Sequence, residues 1–262
     1  MNNQLIIVKI GGNIIDDKNK LSSFLNEFAS IRDKKILVHG GGKLATKIAE
    51  KLGIEQKLVE GRRITDVDTL KVVTMVYAGY INKNIVAQLQ AHDCNALGLT
   101  GADGNSILAH KRINVNIDFG FAGDVDSVNT ELIISLLENN ITPVIAPITH
   151  DQQGQLLNTN ADTIAQEIAK NMSNDFDVTL IYTFEKAGVM MDTNDDASVI
   201  SLINPTNYTQ LIVEHKIFDG MIPKLDNAFA ALKSGVKKVI IGKAEQLSDL
   251  INGKAGTSIV NE

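Results

Sequence analysis

Two short tracts near the N-terminus hold the residues best suited to gripping an anion. Lys9-Ile10-Gly11-Gly12 sets a lysine at the end of an apolar run and two glycines after it, and His39-Gly40-Gly41-Gly42 ends a second run in the same way. Glycine lets backbone N–H groups approach a ligand closely, and a helix N-terminus adds a dipole that favours negative charge. The plainer alternative is a tight strand-to-helix turn, for which glycine is also the usual residue. Two such loops, one carrying a lysine, tilt the balance toward anion binding. Neither is a standard nucleotide loop: Gly42-Lys43 is followed by Leu44, so G-x-x-x-x-G-K-[ST] is absent, and so is G-x-G-x-x-G. Three more tracts carry chemistry. Gly61-Arg62-Arg63 ends an apparent hairpin, and a guanidinium fork suits a carboxylate, with a solvated surface charge as the alternative. Asn158-Thr159-Asn160-Ala161-Asp162 opens a helix, where Asn160 or Asp162 also fits an ordinary cap. Asp219-Gly220-Met221-Ile222-Pro223-Lys224 opens another. Pro223 is normal there, but Lys224 opposes the helix dipole unless an anion lies near it.

The elements that must position these residues alternate along the chain. Leu5–Ile10, Lys35–His39, Ala96–Leu99, Ile141–Ile148, Val178–Phe184 and Lys238–Ile241 read as strands. Leu21–Ile31, Lys43–Leu52, a long stretch from Asp66 to about Leu89, Asn129–Leu137, Asn160–Met172, Asn207–His215 and Asp219–Ser234 read as helices. Lys57–Thr65 reads as a hairpin around Gly61, and Gly101 to Gly123 is a glycine-punctuated tract without a clear period. Strands alternating with helices predict parallel pairing and an α/β sandwich, whose ligands collect at the carboxyl ends of the strands. The polar stretch Asn171–Asp177 predicts a boundary between an N-terminal lobe, residues 1–172, and a C-terminal lobe, residues 173–262.

Composition narrows the partners. With 44% apolar residues, the 262-residue chain can bury a full core. A net charge of −6, 5% aromatics and no tryptophan argue against a nucleic-acid surface. A single cysteine, Cys94, excludes an intrachain disulfide, and no signal peptide or bilayer-spanning run is visible, so a cytoplasmic location is expected. No histidine and cysteine cluster has zinc spacing, and no metal-ligating residue is assigned.

Taken in order, K-I-G-G, V-H-G-G-G, G-R-R-I-T, N-T-N-A-D and G-M-I-P-K resemble the amino-acid kinase family over essentially the whole chain, from about Gln4 to Val260. Within that family, G-R-R-I-T with N-T-N-A-D resembles the branch that phosphorylates the γ-carboxylate of N-acetyl-L-glutamate, or of another N-acyl-L-glutamate such as N-succinyl-L-glutamate, in the second step of arginine biosynthesis; no residue decides between the acetyl and the succinyl group. The resemblance implies a three-layer α/β/α sandwich around a mainly parallel open sheet, with ATP and Mg²⁺ in the C-terminal lobe. It implies that Gly41, Gly42, Arg63 and Asn158 bind the acyl amino acid. Lys9 and Lys224 would flank the migrating phosphoryl group, Gly12 would give it a backbone N–H, and Asp162 would hold the lysines. It sets the nucleotide against Lys186, Gly188, Val189, Met190, Lys216, Ile217 and Phe218. The chain departs from the family in one place: its D-V-x-G segment is replaced by Thr183-Phe184-Glu185-Lys186-Ala187-Gly188, one residue longer. Sibling kinases of the same fold, acting on carbamate, aspartate or a nucleoside monophosphate, are the alternatives, with a catalytically silent effector-binding module a further one. Arginine-inhibited family members carry an N-terminal helix that links dimers into a ring. Only Met1 to Gln4, about 13 Å when extended, precede the first strand here, so a homodimer insensitive to arginine is expected.

Overall fold

The computed structural model describes residues 3–59, 61–192, 195, 198–214, 216–217 and 221–261. The chain begins β1 (Gln4–Ile10), α1 (Gly12–Ile15), α2 (Lys18–Ser30), β2 (Lys34–His39), α3 (Gly42–Lys51), β3 (Leu58–Val59), β4 (Arg62–Arg63), α4 (Val67–Val73), a π-helical stretch (Thr74–Ile81), α5 (Asn82–Ala91) and β5 (Ala96–Leu99). It continues with β6 (Ile107–Lys111), β7 (Ala122–Val128), α6 (Thr130–Glu138), β8 (Thr142–Ile145), β9 (Ile148–His150), β10 (Leu156–Thr159) and α7 (Ala161–Met172). The last part is β11 (Asp177–Phe184), β12 (Leu202–Ile203), α8 (Pro205–Val213), α9 (Ile222–Lys233), β13 (Lys238–Lys243), α10 (Leu247–Ile251) and β14 (Thr257–Ile259).

An eight-stranded sheet in the order β12-β14-β13-β11-β1-β2-β8-β5 forms the middle layer. Its neighbours pair in parallel, apart from antiparallel β13 and β14. A parallel sheet must be covered on both faces, which is why its strands read as unbroken apolar runs. In β1, Leu5 and Ile7 enter one core with Ile164 and Ile168 of α7 and Leu225 of α9. Ile6, Val8 and Ile10 enter the other, with Phe24, Leu25 and Phe28 of α2 and Ala45 of α3. Successive side chains thus feed opposite layers, and the α/β/α sandwich follows.

The structure alters several sequence expectations. The helix expected from Asp66 to Leu89 is capped by the Asp66 carboxylate at Thr69 N, but Thr74–Ile81 inside it is π-helical. The wider turns bring Tyr77 and Ile81 together against Gly41. The strand expected over Ile141–Ile148 is two strands in two sheets. Pro147 interrupts it, since proline has no N–H for a ladder, and β9 leaves to join a small closed barrel with β6, β7 and β10. Two barrel strands, β6 and β7, lie within or just beyond the tract that showed no clear period. Lys238–Ile241 is followed by one more strand, β14. Asp219, Gly220 and His215 lie outside the described residues; the helix expected over Asp219–Ser234 is seen as α9, and that expected over Asn207–His215 starts earlier, at Pro205.

Candidate active site

The two glycine loops come together because β1 and β2 are neighbours. Gly40 N donates to Ile10 O at 3.0 Å, tying one loop to the other. Behind them His39 is fully buried; its Nδ1 donates to Gly40 O at 2.8 Å, and Asn82 Nδ2 donates to its Nε2 at 3.1 Å. Burial pushes the imidazole pKa down to about 4, so this histidine is a neutral strut. Gly41 sits at φ +146°, and a Cβ there would lie 2.3 Å from Ile81 Cδ1 and 3.1 Å from the Tyr77 ring. Only glycine satisfies both the dihedral and the space.

Arg63 is buried, not a surface charge. Its guanidinium donates to Gly42 O at 3.0 Å, to Thr46 Oγ1 at 2.9 Å and to Gln56 Oε1. Burial raises the pKa of the Tyr77 hydroxyl, and the charge of Arg63 opposes that shift. Asn158 reaches the same region from β10, with Nδ2 donating to Thr65 Oγ1 at 3.0 Å. Gly41, Gly42, Arg63 and Asn158 therefore line one cavity of about 160 Å³, together with Tyr77 and Ala161.

The charged centre lies at the end of β1. Lys9 Nζ is 2.8 Å from Asp162 Oδ1. Asp162 is held at the start of α7 by the side chain of Asn160, which accepts from its N at 2.8 Å, so cap and carboxylate are separate functions of neighbouring residues. A carboxylate in the first helical turn is favoured by the helix dipole. Lys224, in the first turn of α9, lies with its ammonium 3.6 Å from the centroid of the Phe184 ring. Burial lowers its pKa; Asp162 opposes this and Lys9 adds to it, so the three charges act on one another.

A second cavity of about 660 Å³ opens where β1, β11 and β13 end, lined by Lys9, Gly11, Gly12, Thr183 and Phe184. Its remaining wall includes Asn13, Lys20, Lys43, Glu185, Lys243 and Glu245, none of which was singled out as a site residue from sequence. The six described residues expected to meet a nucleotide do not line this cavity. Val189, Met190 and Ile217 are buried in apolar surroundings, and Gly188 packs against Thr257 and Val199. Lys216 is ion-paired with Glu214 at 2.7 Å, Lys186 lies on the exposed bend after β11, and Phe218 lies outside the described residues.

This fold, with glycine loops at adjacent strand ends and two lysines around one aspartate, defines a phosphoryl-transfer class of α/β protein, and the chain belongs to the amino acid kinase family, which it matches over residues 4–243. Among its relatives it is 56% identical over 260 residues to an acetylglutamate kinase of Cytophaga hutchinsonii, covering 98% of both chains. It is 54% identical over 259 residues to an acetylglutamate kinase of Bacteroides fragilis, covering 99% of this chain and 98% of that one. The crystal structure of smu.665 from Streptococcus mutans UA159 superposes with a TM-score of 0.78 at 25% identity, covering 98% of this chain and 99% of that one.

Proposed function

We propose that the protein transfers the γ-phosphoryl group of ATP to the γ-carboxylate of N-acetyl-L-glutamate, giving ADP and the acyl phosphate, the second step of arginine biosynthesis. The observation that carries this reading is the Lys9–Asp162 ion pair with Lys224 beside it, at the junction between a small cavity with a buried arginine and a larger one rich in lysine. The acetylglutamate kinases at 54–56% identity support it.

The acceptor carboxylate is ionised at neutral pH, so no general base is required. What the site must supply is alignment and charge. Arg63 and Asn158, with the backbone of Gly41 and Gly42, hold the acyl amino acid in the smaller cavity. The Gly12 N–H belongs to the first turn of α1, where backbone donors have no helical partner, and is free to face a phosphoryl oxygen. Lys9 and Lys224 neutralise the charge that builds on the equatorial oxygens, and Asp162 keeps Lys9 from relaxing elsewhere. The Lys20, Lys43 and Lys243 side of the larger cavity suits a polyphosphate. Mg²⁺ carried in on the nucleotide would supply further neutralisation of the phosphates. The N-terminal part, residues 1–172, takes the acyl amino acid, and the remainder, 173–262, takes the nucleotide, whose phosphates also meet Lys20 and Lys43 of the N-terminal part.

We further propose a cytoplasmic homodimer. The support is the exposed apolar side chains Met75, Tyr80 and Leu97, the last on the open edge strand β5. Among the described residues no helix is long and apolar enough to cross a membrane. The test is ATP consumption against a panel of N-acetyl-L-glutamate, free L-glutamate, aspartate, carbamate and nucleoside monophosphates. N-acetyl-L-glutamate should be turned over best. Free glutamate should be very poor, because its ammonium would sit where an uncharged amide belongs. Preferred turnover of any other acceptor would remove the reading, and light scattering reports the dimer.

A further inference from the structure

The larger cavity holds more cationic charge than its own acidic groups balance: Lys9, Lys20, Lys43 and Lys243 face Glu185 and Glu245. Lys9 is tied to Asp162, and Lys20 pairs with Glu245 at 2.9 Å. Lys43 is placed differently. It is the second residue of α3, where a cation opposes the helix dipole. Its stem lies along the glycine turn: a Cβ built on Gly12 would be 3.6 Å from Lys43 Cγ and 3.8 Å from Cδ. Its ammonium donates to Asn13 Oδ1 and stands 3.8 Å from Glu185. Glu185 in turn attracts Lys20 and Lys224 as well as Lys43. Among the described residues its one close cationic contact is Lys43, and its pull on the other two lysines is the smallest of the influences on each.

Building on the function proposed above, we infer that Lys43 is a polyphosphate-binding residue of the nucleotide cleft, and that Glu185 is the anion it exchanges for the phosphates. A phosphate resting on the Gly12 turn has Lys9 on the β1 side and Lys43 on the α3 side. Both ends of the Lys43–Glu185 contact are well exposed, at 61% and 69% of the side chain, so it is weak enough to give way to a multiply charged ligand. Glu185 comes directly after β11, so the strand end fixes where its carboxylate stands.

The test is calorimetric titration of ATP, ADP and AMP into the enzyme without acyl acceptor, for wild type, Lys43→Ala, Lys43→Arg and Glu185→Gln. Lys43→Ala should weaken ATP and ADP about tenfold, the size of one charge-assisted hydrogen bond, while AMP binding and N-acetyl-L-glutamate binding stay as they were. Lys43→Arg should recover most of the loss, and Glu185→Gln should tighten ATP by about twofold. Equal ATP affinity in Lys43→Ala and wild type would overturn the inference, as would equal weakening of ATP and AMP, which marks a displaced helix. Weaker ATP binding in Glu185→Gln would overturn the exchange. A wild-type enzyme that binds no ATP would instead remove the kinase reading itself.

Discussion

Replacing Arg63 by lysine separates two roles that the structure gives one side chain. The guanidinium spans Gln56 on one side and the Gly42 carbonyl with Thr46 on the other. An ammonium carries its donors on one nitrogen and cannot reach both sides at once. At least one charged hydrogen bond is lost and a half-buried acceptor is left bare, which costs about 1.5–3 kcal/mol. For a chain of this size 2 kcal/mol lowers Tm by about 4–8 °C. The substrate carboxylate also loses its fork, so the KM for the acyl amino acid should rise roughly tenfold or more. The KM for ATP should barely move, since Arg63 lines only the smaller cavity. Thermal unfolding by circular dichroism, beside steady-state kinetics with each substrate varied, reads both effects. A fall in Tm with an unchanged acyl amino acid KM would refute the reasoning and leave Arg63 as a strut beneath Gly42. Equal loss of both KM values would do the same.

Lys9→Ala or Lys224→Ala should cut kcat by a factor on the order of 10²–10³ with smaller changes in KM, because the benefit belongs to the transition state; near-normal kcat in both would void their roles. Because burial lowers the Lys224 pKa, the alkaline fall in kcat should begin below the ordinary lysine range and disappear from Lys224→Met, whose residual rate should be flat there. Gly41→Ala should cost about 2–5 kcal/mol in a urea melt, from the left-handed dihedral plus the contact with Ile81. His39, near 4 in the fold and 6.5 when unfolded, binds more protons in the unfolded chain between those values. Stability should therefore fall as pH drops through that window, by about 3 kcal/mol in all, and His39→Gln should flatten that part of a pH-dependent unfolding series.

Lys9 and Lys224 stood out because local rules already speak there, Lys9 at a strand end before two glycines and Lys224 in a first turn that should repel it; Asp162 read locally as a cap residue beside Asn160, and only the family resemblance set it with the lysines. For Arg63 the sequence offered a carboxylate fork or a solvated surface charge, and its burial was not legible, because Gln56, Thr46 and Tyr77 reach it from other elements. The central sheet showed itself through apolar runs covered on both faces. The small barrel did not, since β6 and β7 carry His110, Lys111, Asp124 and Asp126 among their short runs and lack a clean alternation. The π-helical stretch did not show, because the apolar spacing of Leu70 and Val73 in α4 carries on to Tyr77 as in an ordinary helix. The larger cavity is assembled from the ends of three strands and from α2 and α3, so no spacing along the chain announces it. One sign was present: Lys43 directly follows the third glycine of its loop, although Leu37 and Leu44 both break the P-loop pattern around it.

The pairing of β1 has a mechanical consequence. In-line transfer needs the two substrates pressed to near contact, and many enzymes achieve that with a hinge in a linker. Here β1 is bonded to β11 from Gln4 to Lys9 and to β2 from Leu5 to Ile10. A rigid swing between the two halves would have to unzip a ladder that both cores enclose. A rigid-body narrowing that keeps both ladders would have to coil the sheet more tightly about β1. Such a deformation would be spread thinly over many backbone bonds.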